Sequence, residues 1–227
     1  MTTTVDKPAT KDAPSVEAAP PIHIDRVSLE TVMVPIVGTA PLIMCRFPEK
    51  AKQAMLAAMQ RRTPPKEIKK PEVEFEAAMH RVKGGYGFPS VGFKAATIGA
   101  ARFYGKSVTM IELRQLMYFD GEPSIDPPTQ KLVRLETSDP IMREDYVRVS
   151  TSGTDLRYRP EFSEWRATLL ITYVTSSLSE QSLLSLVEAG GMGGIGEWRP
   201  AGKKTTGDFG TYIIDPTREV MTVSRGV

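Results

Sequence analysis

The alternation of apolar and polar residues along the chain predicts a protein built from both strands and helices. The clearest strand is RATLLITYV (166–174), which has apolar residues on both faces, as a central strand of a sheet would have. Earlier in the chain, VSLETVMVPIVG (27–38) and the apolar PLIMCRF (41–47) predict one long bent strand or two strands. Further strands are expected over Val108–Met117, Lys131–Glu136 and TYIID (211–215), the last being the final strand.

Three segments carry helical signals, over residues 48–62, 91–103 and 177–191. The first begins with Pro48, which suits the first helical position because it needs no backbone N–H there. In the third, Ser179 is the expected N-cap, and Gly190 or Gly191 is the expected stop. The segment 72–82 fits either a strand or a helix, and the sequence leaves that choice open.

The order of these elements predicts an α+β fold. The elements follow in the order strand, helix, a basic loop with an inserted helix, two strands, helix and strand. This order matches a ferredoxin-like (RRM-like) unit, an antiparallel sheet with helices on one face, that carries a large insertion. We expect a single domain over residues 22–215. Residues 1–21, rich in Thr, Ala, Pro and charge, are expected to form a disordered tail, and 216–227 a C-terminal tail.

Composition narrows the possible functions. The hydrophobic content of 41% and charged content of 25% are ordinary for a globular protein with a core. One cysteine, Cys45, and two histidines, His23 and His80, exclude an intramolecular disulfide and argue against a metal site. No apolar run approaches the roughly 20 residues that span a bilayer, and the N-terminus lacks the apolar core of a signal peptide. We therefore expect a cytoplasmic protein without membrane partner, metal or cofactor.

Positive charge is concentrated in two places, although the net charge is only +2. From Arg81 to Ile111 the chain has basic residues and no acid, and a second basic cluster, expected to form a mobile loop, lies at 61–70. Lysine and arginine can neutralise backbone phosphates, and the interleaved aromatic residues can stack on bases. The alternative is a solvated rim with the aromatic side chains in the core. The predicted nucleic-acid contacts here are Arg61, Arg62, Lys66, Lys69, Lys70, Lys83, Lys94 and Arg102.

The Gly-rich segment from Gly190 to Gly210 lies between an expected helix and an expected strand. A dinucleotide-binding loop follows a strand and opens a helix, so this position argues against that function. Because glycine has no Cβ, the segment can approach a phosphodiester chain closely; the alternative is a helix stop followed by a hairpin. Trp198 either stacks on a base or anchors the loop to the core. The predicted contacts are Gly194, Gly196, Trp198, Arg199, Lys203, Lys204, Gly207 and Gly210.

Two of these segments together resemble the RAMP superfamily, the CRISPR-associated proteins that bind guide RNA. Residues 88–96 (FPSVGFKAA) are similar to the motif that opens a helix in that family, with Lys94 at its basic position. Residues 194–196 and 207–211 look like the two halves of the family's C-terminal Gly-rich loop. The segments YRPEFSEW and GIGEWRP also look like a family of small phage-encoded proteins. The resemblance implies a phage-borne, non-catalytic protein that coats single-stranded RNA or DNA as a repeating homo-oligomer.

Two other functions fit the same residues. A phage structural or assembly protein would use its basic loops to contact neighbouring subunits. A metal-independent ribonuclease would use His80, which lies near Lys83 and Tyr86 in the sequence, as a general base. A lone histidine of this kind is more often structural, and the sequence contains no evident pairing of a nucleophile with a base. We therefore predict no catalytic residue.

Overall fold

The computed structural model describes residues 23–62, 68–105, 107–148, 153–203 and 207–223. Its helices are α1 (Glu49–Met59), α2 (Pro71–Ala77), α3 (Ser90–Gly99), α4 (Met110–Leu116) and α5 (Glu180–Gly193), and a 3₁₀ turn (Ala100–Phe103) extends α3. Its strands are β1 (Leu29–Gly38), β2 (Leu42–Ile43), β3 (Arg81–Val82), β4 (Gly85–Pro89), β5 (Met117–Asp120), β6 (Glu122–Pro123), β7 (Lys131–Thr137), β8 (Ile141–Arg148), β9 (Thr154–Phe162), β10 (Trp165–Val174), β11 (Tyr212–Ile214) and β12 (Met221–Val223).

The strands form two antiparallel sheets. The main sheet has the order β11-β1-β10-β7-β4-β3, with β12 beside β1, β5 beside β10 and β6 beside β7. Strand β10 pairs with β1 on one side and with β7 and β5 on the other, which confirms it as a central strand. Strands β2, β9 and β8 form a second, three-stranded sheet. The prediction of a mixed fold of helices and antiparallel sheets is confirmed, and the ferredoxin-like form stays a prediction.

Helices α3 and α5 cover one face of the main sheet. Val32, Val34 and Ile36 alternate along β1 and are completely buried on this face, as the two-residue period of a strand requires. Burying such a side chain contributes about 1.5–3 kcal/mol. Helix α5 lies very close to α3 at Gly190, where a Cβ would come within 2.9 Å of the backbone nitrogen of Thr97. The small residues of these helices therefore set how closely the helix layer packs.

The prediction of a strand over Val108–Met117 is wrong, because most of this segment is helix α4. The Thr109 hydroxyl accepts a hydrogen bond from the Glu112 backbone N–H at 3.2 Å, and the Glu112 carboxylate accepts one from the Thr109 N–H at 2.9 Å. This reciprocal pair is a capping box, which satisfies two free N–H groups and starts a helix. The segment 72–82, left open by the sequence, is α2 followed by β3.

Helix α5 begins as predicted and ends later than predicted. The Ser179 hydroxyl caps its first turn by accepting a hydrogen bond from a backbone N–H at 3.2 Å. The helix does not stop at Gly190 or Gly191 but runs through Gly193, and Gly194 leaves it with φ +68°. Gly190 and Gly191 are buried inside the helix, where they allow close packing and do not act as a stop.

The ends of the other elements differ in detail from the expectation. Pro48 is the N-cap of α1 and not its first helical residue. The stretch 216–227, to which the sequence assigned no element, contributes β12, which pairs with β1, so β11 is not the final strand. The tail predicted over residues 1–21 lies outside the described residues.

Candidate nucleic-acid interface

We call residues 194–210, which follow α5, the Gly-rich loop, and hydrogen bonds hold the backbone of its described parts, 194–203 and 207–210. The Ile195 N–H donates to the Gly210 carbonyl at 3.0 Å, which joins the two ends of the loop. The Glu197 N–H donates to the carbonyl of Ile43 at 2.9 Å, which holds the loop against β2. The predicted position of this segment between a helix and a strand is confirmed.

The glycines of this loop serve the packing of the protein itself. Gly194, Gly196 and Gly210 adopt φ values of +68°, +77° and +68°, in the left-handed region that favours glycine. A Cβ on Gly196 would overlap the Ile43 carbonyl, and a Cβ on Gly207 would come within 2.7 Å of the Trp198 carbonyl oxygen. Gly194 and Gly210 are buried. Protein backbone therefore occupies the space that was expected to admit a phosphodiester chain, and a phosphate contact at these glycines stays a prediction.

Three side chains of the loop reach its surface. Trp198 is half-buried and has φ +56°, a conformation that costs a residue with a Cβ roughly 1–2 kcal/mol. The guanidinium of Arg199 donates to the Gly196 carbonyl at 2.6 Å, which holds it against the loop backbone. Lys203 is exposed, and Lys204 lies outside the described residues. The described part of the loop therefore carries an aromatic side chain and two cations.

Arg159 of β9 connects the Gly-rich loop to the second sheet. This side chain is only 2% exposed, and its guanidinium lies 3.3 Å from the Asp145 carboxylate and 3.7 Å from that of Glu197. Its Nε has no hydrogen-bond partner among the described residues. A buried guanidinium is stable only when carboxylates compensate the loss of hydration, so Asp145 on β8 and Glu197 in the loop are held together through Arg159.

Two further arginines of the second sheet border this region, and sequence reasoning did not assign them to the site. The Arg143 guanidinium lies 4.9 Å from the centre of the Phe209 ring in the Gly-rich loop, and it also binds the Glu161 carboxylate at 2.7 Å. Arg157 is half-buried and lies 3.7 Å from Asp155. For Arg157 a signal was available: charged residues alternate along β9, which places every second side chain on one face. Strand β8, with charges at 143, 144 and 145, has no such alternation.

The structure distributes the other predicted basic residues over separate surfaces. Lys69 pairs with the Asp155 carboxylate and donates to the Leu156 carbonyl at 3.0 Å, so it attaches the start of α2 to β9. Lys66 lies outside the described residues. The remaining members of the basic groups are exposed: Arg61, Arg62, Lys70, Lys83 and Arg102.

Lys94, at the basic position of the helix-opening motif, contacts α4. Its ammonium donates to the Arg114 carbonyl at 2.9 Å and lies 5.4 Å from the centre of the Tyr118 ring. Its partial burial lowers the pKa of the Lys94 ammonium. A lysine in this position satisfies a free carbonyl at the end of a helix, so its role in binding phosphate stays a prediction.

His80, the candidate base of the ribonuclease hypothesis, lies in the protein interior. It is 8% exposed, and its backbone N–H donates to the Met44 sulfur at 3.0 Å. Burial, aided by the positive charge of Arg46, lowers the pKa of His80 to about 4. A general base must reach the proton that it removes, and this imidazole is shielded from solvent. The geometry therefore argues against the ribonuclease.

Within the described ranges, no group of three or more His, Cys, Asp or Glu side chains is placed to hold a metal ion. None of the helices in these ranges is long and apolar enough to cross a membrane.

Comparisons with known proteins find likenesses among solved structures alone. No protein-family model matches the chain, and no curated protein matches it. A chain of the Type III-B Cmr-beta bound to cognate target RNA is similar, with 10% sequence identity and a TM-score of 0.45 over 86% of this chain. The present chain spans 61% of the length of that relative. Cmr6 from Pyrococcus furiosus is similar with 11% identity and a TM-score of 0.42, over 84% of this chain and 100% of Cmr6.

Proposed function

We propose that this protein binds single-stranded nucleic acid at the Gly-rich loop, with Trp198 as a base-stacking residue. The observation that carries the proposal is the conformation of Trp198. It is a half-buried aromatic residue in a backbone conformation that residues with a Cβ rarely adopt, and the neighbouring Glu197 N–H donates to the Ile43 carbonyl of β2. Backbone strain persists where the surrounding structure enforces it, and it concentrates at binding sites. An aromatic ring held in place offers a stacking face at a low entropic cost.

The cations around Trp198 support a polyanionic ligand. Arg199 follows it directly, and Lys203 is exposed on the same loop. The Arg199 guanidinium uses one nitrogen for the Gly196 carbonyl, which leaves donors for phosphate oxygens. Neutralising phosphates with these cations would release counterions, so we expect affinity to fall steeply with salt.

The proposal has two further parts. The protein binds the strand without cleaving it, and copies of the chain repeat along the strand as a homo-oligomer. The buried, neutral His80 supports the absence of ribonuclease activity. The repeating assembly and its phage-borne setting come from the sequence resemblance and stay predictions. RNA and DNA are both candidates for the strand, and the experiment compares them.

Fluorescence anisotropy with labelled single-stranded RNA, single-stranded DNA and duplex, over a salt series, tests the proposal. We expect both single strands or one of them to bind more tightly than duplex, with the strand recovered intact. Trp198→Ala should cost about 1–3 kcal/mol of binding free energy at every salt concentration, as loss of one stacked base does. Lys203→Ala should reduce the salt slope by about 0.7, the value for one phosphate contact on a single strand.

The matched control is Lys131→Ala, which removes an exposed lysine of β7 outside this surface. It should leave both the affinity and the salt slope at the wild-type values. Absence of binding at low salt, or equal losses in the Lys131 and Lys203 variants, would contradict the proposal.

A further inference from the structure

The Gly-rich loop has two described arms, residues 194–203 and 207–210, and Trp198 lies on the first of them. The second arm holds Trp198 through its backbone, because the Phe209 N–H donates to the Trp198 carbonyl at 3.3 Å. A Cβ on Gly207 would come within 3.3 Å of the Trp198 Cβ, so the two arms pack closely there. The conformation of Trp198, with φ +56°, therefore depends on how both arms are held.

Arg159 of the second sheet holds the first arm. Its guanidinium lies 3.7 Å from the carboxylate of Glu197, the residue directly before Trp198. Arg159 is itself held in place, because it is buried and lies 3.3 Å from the Asp145 carboxylate. The Glu197 N–H also donates to the Ile43 carbonyl of β2. Both the side chain and the backbone of Glu197 are therefore attached to the second sheet.

Arg143 of the same sheet holds the second arm. Its guanidinium lies 4.9 Å from the centre of the Phe209 ring, within the range of a cation–π contact. The same guanidinium donates to the carboxylates of Asp145 and Glu161, at 2.7 Å each, which hold it on the sheet. Because the Phe209 N–H binds the Trp198 carbonyl, Arg143 can act on Trp198 through this one residue.

We propose that Arg143 and Arg159 are positioning residues, which hold the Gly-rich loop in the conformation in which Trp198 presents its ring to a base. Asp145 binds both arginines and joins the two contacts into one network. The inference rests on the proposed function for its ligand, but the positioning is a property of the free chain. When only a fraction of the molecules has the competent loop, the apparent affinity is reduced by that fraction. Loss of either contact should therefore weaken binding without removing a phosphate contact.

Acrylamide quenching of tryptophan fluorescence tests the positioning in the full chain without nucleic acid. The contribution of the buried Trp165 is measured in Trp198→Phe and subtracted. We expect Phe209→Leu, which removes the ring that Arg143 contacts, to raise the quenching constant of Trp198. The matched control is Phe103→Leu, which removes an exposed ring from the 3₁₀ turn and should leave the constant at the wild-type value. An unchanged constant in Phe209→Leu overturns the proposal.

A double-mutant cycle tests whether Arg143 acts through Phe209. Arg143→Gln and Phe209→Leu should each weaken the binding of a short single strand by about two- to fivefold, the size of an exposed cation–π contact. The double variant should bind no more weakly than either single variant, because both changes remove the same contact. Circular dichroism checks that all three variants fold. Losses that multiply in the double variant, or single variants that bind like the wild type, overturn the proposal.

The salt dependence of binding separates a positioning residue from a phosphate contact. Arg143→Gln should leave the salt slope unchanged, whereas loss of a phosphate contact would reduce it by about 0.7. A reduced slope in this variant overturns the proposal, because Arg143 is then a contact of the strand.

Glu197→Gln tests the contact with Arg159 by the sign of its effect. Removal of a negative charge alone would tighten the binding of a polyanion. Loss of the attraction to Arg159 should instead weaken binding by about two- to fivefold, the range of an ion pair near the surface. The matched control is Glu164→Gln, which removes the same charge from an exposed position between β9 and β10 and should not weaken binding. Tighter binding in Glu197→Gln overturns the proposal.

These measurements can fail separately from the proposed function. If the wild type binds no single strand, the proposed function fails, and the acrylamide experiment still decides whether the Arg143 contact holds Trp198. If the wild type binds while the Trp198 quenching constant is the same in Phe209→Leu, the positioning inference fails alone.

Discussion

Replacing Gly210 with alanine tests whether the shape of the Gly-rich loop depends on its glycines. Gly210 has φ +68°, and a Cβ there would lie closer than 3.0 Å to the carbonyl oxygen of Ile195, which is backbone and cannot rotate away. The left-handed conformation costs an alanine about 1–2 kcal/mol, and forcing an atom into a packed site costs about 1–3 kcal/mol. We therefore expect Gly210→Ala to lower the free energy of unfolding by about 2–5 kcal/mol.

Gly84→Ala is the matched control for this substitution. Gly84 has φ +75°, but a Cβ on it would meet no atom of the described residues within 4 Å. It should cost only the conformational part, about 1–2 kcal/mol. Urea unfolding followed by circular dichroism measures both variants. Equal losses in the two would refute the conclusion that the loop glycines are required by close backbone packing.

Three more experiments test other parts of the structure. Gly99→Ala should raise the free energy of unfolding by about 0.5–1 kcal/mol, and with it the melting temperature, because a Cβ there meets no atom of the described residues within 4 Å. Gly190→Ala should lower the melting temperature, because its Cβ would meet the backbone of α3. Burial lowers the pKa of His80 in the folded chain to about 4, below its unfolded value of about 6.5. The free energy of unfolding therefore decreases as the pH falls from about 6.5 to 4. His80→Gln should remove about 3 kcal/mol of this decrease, measured by urea unfolding at pH 7 and pH 4. Arg159→Met should cost about 1–3 kcal/mol by the same assay, because Asp145 loses this partner but keeps Arg143 at 2.7 Å. Arg157→Met should cost less than about 1 kcal/mol, and similar costs in the two variants would contradict the role of the buried ion pair.

The sequence predicted those parts of the fold whose signals are local. The apolar residues of β10 mark it as a strand, although only the face that carries Ala167, Leu169 and Ile171 is fully buried. The Ser179 cap of α5 acts within one turn. The prediction of a strand over Val108–Met117 was wrong because the capping box at Thr109 starts a helix, although the β-branched Val108 precedes it. The late end of α5 was not predictable, because Gly190 packs against α3, which lies far away in sequence.

The same distinction holds for the candidate site. The position of the Gly-rich loop between a helix and a strand follows from the order of neighbouring segments, and the sequence found it. Its attachment to Ile43 and Arg159 depends on residues more than thirty positions away, which no local pattern connects. Lys69 was predicted from charge, and Lys94 from charge and from its place in the helix-opening motif. Their intramolecular partners, Asp155 and the Arg114 carbonyl, appear only in the fold.

Tryptophan fluorescence during titration with a short single-stranded oligonucleotide tests the central claim most directly. The chain has two tryptophans: Trp165 is buried and donates its indole N–H to the Ala40 carbonyl at 3.0 Å, whereas Trp198 is only half-buried. A base that stacks on the loop can therefore quench Trp198 without reaching Trp165. We predict saturable quenching in the wild type and its loss in Trp198→Phe. Binding without quenching, or equal quenching in Trp198→Phe, would contradict the claim that Trp198 stacks on a base.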